Sequence, residues 1–494
     1  MERPTSSEIP SATNSNPLTE ALVPYIPLSA MPQALHHEPL SNVDWKSSAP
    51  EMREPLLSLQ DQHFFPTGYA VEIASSIQNA IRASFDRRNP LAPAEQKRIN
   101  QLALASAVHQ SQSLPALSNP ASGGIIAAET GLGKTTIVRR ALEVIAPQQF
   151  VIHGRSEACG WSTLTQILYL RVDFPTNGTR GALIERILGG VDSLIGTDYA
   201  GKRLRLRNID ASLFLVTKVL TMHRVGMLFL DELQWDNFGR SPLSWEFVRL
   251  FLSLLNVGIP VILSGHPRAF EGLSQEAQVM RRFSDIGYFS LSRAKTGEES
   301  WWKRVLVPGI MRFNLCDEIL DQEEILDAAH PRSAGVPGIF VKLYMEAQRI
   351  ALRRGGTAAT LTADDFRRAC ESPRTVQLVK MARWLVGTAS PEAGYSDLSR
   401  DSPAAEHTEH VTPAPRSPIA DPTSAASTVE KLRRAEKRDR RVSAAREARN
   451  RELLKTLRPD DLRVAARSLD ILAGLDKHQP DLSLDDPDSK SSKR

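Results

Sequence analysis

Residues 128–135 read AETGLGKT, which fits the pattern G-x-x-x-x-G-K-[ST] at every fixed position except the first, where alanine replaces glycine. An apolar segment precedes this stretch and a segment with helical periodicity follows it, as in a phosphate-binding loop between a strand and a helix. Backbone N–H groups of residues 131–134 would face phosphate oxygens, and Lys134 would reach the β- and γ-phosphates. The alternative is a glycine-rich turn that contains a lysine by chance. The predicted nucleotide-binding residues are Ala128, Glu129, Thr130, Gly131, Leu132, Gly133, Lys134, Thr135 and Thr136.

An acidic pair, Asp231 and Glu232, follows the uninterrupted apolar run at residues 227–230. The Thr135 hydroxyl and, through water, the Asp231 carboxylate are predicted to hold magnesium, because this cation prefers oxygen ligands. Glu232 would orient and polarise a water that attacks the γ-phosphate. Acidic residues after a strand are weak evidence alone, but with the phosphate loop they predict an ATPase.

Two further candidates lie downstream. Ser264 ends the apolar segment PVILS, and we expect it between the acidic pair and the γ-phosphate as a sensor; a serine that caps a helix is the alternative. Arg282 in MRRFSD closes a helical stretch, and we expect it to face outward. In an oligomer it would then stabilise phosphate charge on the neighbouring subunit, whereas a solvated basic pair is the alternative.

The elements around these residues alternate between strands and helices. Strands are predicted at GGIIAAET, QFVIH, VGMLFL and PVILS, with a last one near residues 286–291. Helical periodicity occurs at residues 69–85, in KTTIVRRALEVIA, in three stretches of residues 162–223 and around residues 245–255. This order predicts a doubly wound parallel α/β sheet. From about residue 300 onward the pattern is helical, so we expect a small all-α domain.

Composition divides the remainder of the chain. Residues 1–60 are rich in proline and polar residues and are predicted to be largely disordered. The core with its helical lead-in is assigned to residues 61–298, the helical domain to 299–389, a Pro/Ser-rich linker to 390–428 and a basic helical tail, partly disordered, to 429–494. Residues 430–456 carry eleven basic and five acidic side chains, although the whole chain has a net charge of only +4. The positive charge is concentrated in the tail.

Several classes of protein are excluded. The three cysteines, Cys159, Cys316 and Cys370, are an odd number and far apart, so we expect neither a disulfide framework nor a zinc site. No apolar run approaches the ~18 residues that a membrane span needs, and MERPTSSEIP lacks the order of a signal peptide. The expected location is the cytoplasm.

Together these residues resemble the AAA+ ATPase family and, within it, the TnsC/TniB-type transposition regulators. The segments that carry the resemblance are the lead-in FFPTGYAVEIASSIQNAIRASFDRRNPLAP, the acidic strand LFLDELQ, the sensor turn ILSGHPRAF, the finger region MRRFSD and the lid opening SAGVPGIFVKLYMEAQRIAL. They span roughly residues 64–375. The resemblance implies an AAA+ P-loop core with a small helical lid.

The family likeness also implies a function. Such a protein binds ATP and Mg²⁺, assembles as a ring or filament on double-stranded DNA, connects a target-selection protein to the transposase and disassembles on hydrolysis. This sequence departs from the family pattern at Ala128, at His266 and at Gly338, where many lids carry a sensor arginine. Lys342, one turn further on, is a candidate replacement; a surface lysine on an amphipathic helix is the alternative.

Two basic segments are candidates for contacts with partners. The predicted loop at residues 201–207 would follow a phosphate backbone through Lys202, Arg203, Arg205 and Arg207, although alternating basic and leucine residues are also typical of an edge strand. The tail at residues 429–457 is rich in helix formers. It is a candidate hook for the transposase, a second DNA contact, or merely a solvated helix.

Two alternatives to the transposition hypothesis remain. One is another DNA-associated AAA+ ATPase of the initiator or helicase-loader type. The other is a nucleotide-dependent switch or scaffold that does not act on DNA. Salt-sensitive, ATP-dependent binding to duplex DNA would separate them.

Overall fold

The structure is a computed structural model that describes residues 16–104, 116–204, 209–234, 238, 244–274, 277–354 and 356–387, all within one compact unit. Its strands are β1 (Gly123–Ala128), β2 (Phe150–His153), β3 (Leu164–Ile167), β4 (Leu170–Asp173), β5 (Leu228–Leu233), β6 (Val261–Gly265), β7 (Gly287–Leu291), β8 (Glu318–Ile319) and β9 (Thr360–Leu361). The predicted linker and tail lie outside these residues.

The helices are α1 (Pro17–Glu20), α2 (Met31–Leu35), α3 (Gly68–Arg87), α4 (Pro93–Leu104), α5 (Lys134–Ile145), α6 (Arg180–Ile195), α7 (Tyr199–Leu204), α8 (Ile209–Met222), α9 (Ser244–Asn256), α10 (Glu271–Ser274), α11 (Ala277–Phe283), α12 (Val307–Met311), α13 (Gln322–Ser333), α14 (Pro337–Arg353), α15 (Ala363–Glu371) and α16 (Val376–Leu385). Further helical segments are 3₁₀ helices at Pro50–Gln62 and Pro267–Phe270 and a π-helical turn at Trp301–Leu306.

The core of the molecule is a sheet of five parallel strands in the order β4-β5-β6-β1-β7. Every residue of β1 and β6 is buried, as is typical of central parallel strands covered on both faces. Helices α3 and α5 pack against one face, and α6, α8 and α9 pack against the other. The predicted doubly wound α/β sheet is therefore confirmed.

One predicted strand lies elsewhere. QFVIH was expected in the main sheet, but β2 pairs with β3 as a separate antiparallel hairpin in which Phe150 faces Ile167. The edge of the main sheet is formed instead by β4, which pairs with β5 and which the sequence analysis did not predict. Because β4 has only four residues and exposes Arg171 and Asp173, its apolar pattern is too short to be recognised.

The helical region after β7 has its own hydrophobic cluster. Helices α12 to α16 pack around Trp302, Phe340 and Tyr344, which are buried. Strands β8 and β9 form a short parallel pair within this region. The predicted helical character is present, and we call residues 294–387 the lid.

The expectation of disorder in residues 1–60 is wrong for the part that the structure describes. From Asn16 onward this segment is folded, and Leu18, Met31 and Leu35 are fully buried against α3 and α5. Its prolines begin short helices at Pro17 and Pro50 rather than preventing order. The apolar residues of this segment lack periodicity because they pack individually against the surfaces of α3 and α5.

The three cysteines form no disulfide bond with one another. Cys159, Cys316 and Cys370 are free and buried. Burial raises the pKa of Cys316 to about 12, so its thiol stays protonated. Within the part of the chain that the structure describes, no helix is both long enough and apolar enough to cross a membrane.

Candidate nucleotide-binding site

The phosphate loop joins the end of β1 to the start of α5. Gly131 and Gly133 have φ values of +84° and +83°, a conformation that glycine adopts without steric cost. Ala128 is the last residue of β1, and its side chain is buried in the core of the sheet. The replacement of glycine by alanine at the first motif position therefore falls in the strand and leaves the left-handed positions to glycine.

The Lys134 ammonium closes this loop. Its Nζ atom donates to the carbonyl oxygens of Ala128 at 2.6 Å and of Glu129 at 3.0 Å. Burial lowers the pKa of Lys134, whereas the charges of Asp231 and Glu232 act in the opposite direction. The ammonium is thus held at the N-terminus of α5, where the backbone N–H groups of the first turn favour an anion.

The loop and the acidic strand meet at Thr135 and Asp231. The Thr135 hydroxyl donates to Asp231 Oδ2 at 2.6 Å, and Asp231 is only 2% exposed. The two residues are 96 positions apart in sequence, so the parallel sheet brings them together. Hydroxyl and carboxylate oxygens side by side fit the donor set that Mg²⁺ prefers.

Glu232 occupies a strained position next to this pair. Its φ is +62°, and the register between β5 and β6 shifts between Leu230 and Leu233. A bulge of this kind redirects a side chain, and a left-handed conformation costs a residue such as glutamate roughly 1 kcal/mol or more. The Glu232 side chain is exposed, its N–H donates to Asp231 Oδ1 at 3.0 Å, and its carboxylate accepts from Gln234 at 3.3 Å.

Ser264 lies near the end of β6, on the strand beside the acidic one. In the register with β5, Leu263 faces Leu230 and Gly265 faces Leu233, so Ser264 lies opposite the bulge that contains Asp231 and Glu232. Ser264 is fully buried, and its hydroxyl has no hydrogen-bond partner among the described residues. The alternative reading as a helix cap fits His266 instead, whose Nδ1 accepts from the Arg268 N–H at 3.2 Å.

The basic pair at the end of α11 differs from the expectation. Arg282 was expected to face outward, but it is half-buried and its Nη1 donates to Asn256 Oδ1 at 2.6 Å. Its neighbour Arg281 is exposed. Both lie just before β7, whereas the phosphate loop follows the other end of the neighbouring strand β1, so in one chain they are remote from the phosphate site.

A cavity of about 410 Å³ opens beside the phosphate loop. This size is within the ~300 to 1,000 Å³ range of small-molecule sites. Its walls come from three parts of the chain: the stretch before α3, the loop with the start of α5, and the lid. Residues that the sequence analysis did not assign to the site are Gln60, Asp61, His63, Phe65, Tyr69, Trp301 and Ile310. The lead-in segment FFPTGY contains Phe65 and Tyr69 but was noted only for its family resemblance and was not assigned to the site.

The lid touches the phosphate loop directly. The Gly338 N–H at the start of α14 donates to the Gly131 carbonyl oxygen at 2.9 Å. A Cβ atom on residue 338 would lie 3.0 Å from that oxygen, so glycine permits the close approach. Lys342 lines the same cavity, is exposed and forms no hydrogen bond or ion pair with the described residues.

The predicted DNA-contacting loop has a different structure in the part that is described. Lys202 and Arg203 lie on α7, so this part is neither a loop nor an edge strand. The Lys202 ammonium is 5.0 Å from the centre of the Tyr199 ring, and Arg203 is half-buried. The helix forms because Asp192 accepts from the N–H groups of Tyr199 and Ala200. Arg205 and Arg207 lie outside the described residues.

Residues 118–273 match the family model described as an AAA domain, and no curated protein matches the chain. The structure is similar to the Orc1 protein of Aeropyrum pernix in complex with DNA (17% identity, 57% of this chain and 68% of that chain covered, TM-score 0.36). It is also similar to the Orc2 protein of A. pernix in ADPNP–ADP complexes (15%, 57% and 68%, 0.37) and to Cdc6p of Pyrobaculum aerophilum (14%, 56% and 67%, 0.35).

Since these TM-scores lie below 0.5, the assignment depends on the domain match and on the sheet. The matched range contains the phosphate loop, the acidic strand and Ser264. The loop follows a strand that lies between β6 and β7, and the acidic strand is on the far side of β6. The core of this chain has the fold of an AAA+ P-loop NTPase.

Proposed function

We propose that this protein is a magnesium-dependent ATPase. The observation that carries the proposal is the 2.6 Å contact between Thr135 Oγ1 and Asp231 Oδ2 at the start of α5, with the half-buried Lys134 ammonium bonded to carbonyl oxygens of the adjoining loop. A cation that accepts hydroxyl and carboxylate ligands fits between these groups and the phosphates of a nucleotide. Bound magnesium would neutralise phosphate charge there.

The chain's own residues have separable roles in hydrolysis. Lys134 would exchange its bonds to the loop carbonyls for phosphate oxygens. The exposed Glu232 carboxylate would orient the attacking water and accept its proton while the bond to the γ-phosphate breaks. The unpartnered Ser264 hydroxyl would donate to the γ-phosphate or to that water. Arg281 and Arg282 would act only on a neighbouring subunit.

Phosphate release from ATP tests this proposal. Lys134→Ala is expected to abolish nucleotide binding and hydrolysis. Glu232→Gln is expected to keep ATP binding but to slow hydrolysis by about a hundredfold or more, the usual contribution of a general base. Normal turnover by Glu232→Gln would remove Glu232 from this role, and full activity of Lys134→Ala would refute the site as a whole.

We further propose that the ATPase is a transposition regulator of the TnsC type. In this role it oligomerises on double-stranded DNA with ATP, connects a target-selection protein to the transposase, and disassembles when ATP is hydrolysed. The support is the resemblance carried by LFLDELQ, ILSGHPRAF and the lid opening, together with the core fold. The basic tail at residues 429–457 is the proposed hook for the transposase or a second DNA contact.

Fluorescence anisotropy of labelled duplex DNA separates this proposal from its alternatives. We expect tight binding with ATP and weak binding with ADP, and each neutralised phosphate should add about one unit to the dependence on salt. Replacing Lys202, Arg203, Arg205 and Arg207 by alanine should reduce that dependence. ATP binding without DNA binding at low salt would favour the non-DNA switch. DNA binding by a full chain that does not capture the transposase would favour an initiator or helicase loader.

A further inference from the structure

The segment between α2 and α3 contacts the core near both of its ends and contacts the lid in its middle. On the core side, Arg140 of α5 donates from Nε to the Leu35 carbonyl oxygen at 2.8 Å. At the other end of the segment, Arg139 of α5 donates to the Asp61 carbonyl oxygen at 2.7 Å. Both attachments are on the helix that begins at the phosphate loop. We call residues 45–62, which include the second of these attachment points, the brace.

The middle of the brace is attached to the lid. Arg53 is 2% exposed and donates to the Leu315 carbonyl oxygen at 3.2 Å and to Asp317 Oδ1 at 2.9 Å. Leu57 is 1% exposed within the hydrophobic cluster of the lid. A buried arginine with two lid acceptors and a buried leucine give this attachment both polar and apolar components.

Glu54 binds the lid helix α14 itself. Arg353 donates to both carboxylate oxygens of Glu54, at 2.7 and 2.6 Å, and Arg349 Nε lies 3.2 Å from Oε1. The hydrogen bond from Arg353 and the two positive charges lower the pKa of Glu54, so the carboxylate is ionised at neutral pH. A bidentate pair restricts the orientation of the Arg353 guanidinium relative to the Glu54 carboxylate, as well as the distance between them.

Helix α14 links the contact with Glu54 to the phosphate loop, because its two ends make these two contacts. At its first turn the Gly338 N–H donates to Gly131, and Arg349 and Arg353 lie near its other end. At ~1.5 Å per residue the two contacts are roughly 17 to 23 Å apart along one continuous helix. A change in tilt at Glu54 therefore moves the end that closes the nucleotide cavity.

We propose that Glu54 is a positioning residue: the brace holds α14 through it and thereby sets how long the lid stays closed over the phosphate loop. The proposal depends on the proposed nucleotide binding. It makes the N-terminal segment a controlling element of nucleotide release, because whatever displaces the brace from the lid also releases Gly338 from Gly131. The same segment continues into Asp61 and His63, which line the cavity.

The test is the dissociation rate of mant-ATP with magnesium from the full chain, measured by stopped-flow fluorescence. Glu54→Arg places like charges together and should speed dissociation on the order of fivefold. Glu51→Arg is the matched control, because Glu51 is on the same 3₁₀ helix, is exposed and makes no ion pair with the described residues. The charge swap that combines Glu54→Arg with Arg353→Glu keeps Arg349 paired with Glu346 and should restore a rate nearer that of the wild type.

Several outcomes overturn the inference. One is equal dissociation rates for Glu54→Arg and Glu51→Arg; another is a swap that folds but does not restore the rate. Hydrogen exchange without nucleotide provides an independent measurement: amides at the start of α14 should exchange faster in Glu54→Arg than in Glu51→Arg, and equal rates contradict the brace. A wild-type chain that binds no mant-ATP would instead refute the proposed function, and the exchange result would still decide the brace.

Discussion

Gly338→Ala places one added methyl group between the lid and the phosphate loop. The new Cβ would lie 3.0 Å from the Gly131 carbonyl oxygen and 3.2 Å from its Cα, where ordinary contacts begin at 3.4 Å. The first turn of α14 must retreat by a few tenths of an ångström, which lengthens the 2.9 Å hydrogen bond from Gly338 to Gly131. The closed lid is thereby weakened at its contact with the loop.

The expected loss of ATP affinity in Gly338→Ala is the balance of two effects. Overpacking a tight contact costs about 1 to 3 kcal/mol. Alanine in a helix gains about 0.5 to 1 kcal/mol over glycine, and less at the first turn. The net loss of about 1 kcal/mol falls on the closed state that holds nucleotide, so ATP should bind roughly fivefold more weakly.

The assay is isothermal titration of the full chain with magnesium-ATP, and Gly189→Ala is the control. Gly189 lies inside α6, and a Cβ there would have no atom within 4 Å. This control should raise the free energy of unfolding by about 0.5 to 1 kcal/mol and leave ATP affinity unchanged. Wild-type affinity in Gly338→Ala, or a loss in Gly189→Ala, would refute the reasoning.

Three further predictions concern Ser264, Lys342 and the pair Lys134 and Arg282. Ser264→Ala should raise the free energy of unfolding in urea by about 1 kcal/mol, because it removes a buried hydroxyl that has no partner among the described residues, and should slow phosphate release; a loss of stability would contradict this. Lys342→Ala should weaken ATP binding about threefold to tenfold but ADP binding less, because helix side chains point back toward the N-terminus and so toward the loop. The exposed Lys380→Ala is its control, and equal losses for both nucleotides would favour the surface-lysine alternative. Mixing Lys134→Ala with Arg282→Ala chains should restore part of the hydrolysis, since a mixed interface joins an intact lysine to an intact arginine; no recovery would argue against a finger at Arg282.

The sequence was sufficient for the parts of the fold that have strong local patterns. The segments that predicted β1, β5 and β6 contain the apolar runs GGIIAA, MLFL and PVIL, which are typical of central parallel strands. The four-residue strand β4 has too few positions to show a pattern. The segment from Asn16 to Gln62 was misjudged because its order comes from long-range contacts, such as that between Arg53 and Asp317.

The candidate site was predictable to a similar degree. Lys134 and Thr135 belong to one short motif, and Asp231 follows an apolar run, so local sequence was enough to propose the pair that the structure brings together. The cavity wall that contains His63 and Tyr69 comes from chain folding and carries no motif of its own. The bond from Arg282 to Asn256 joins two helices, and neither local sequence indicates it.

The most direct test of the account is the dependence of ATP affinity on magnesium. Equilibrium titration of the full chain with ATP, in magnesium and in EDTA, should show tighter binding with the metal. Thr135→Val keeps the shape of the side chain but removes the hydroxyl that contacts Asp231, and it should abolish that difference. ATP binding that is independent of magnesium in the wild type, or that depends on magnesium equally in Thr135→Val, would contradict the central claim.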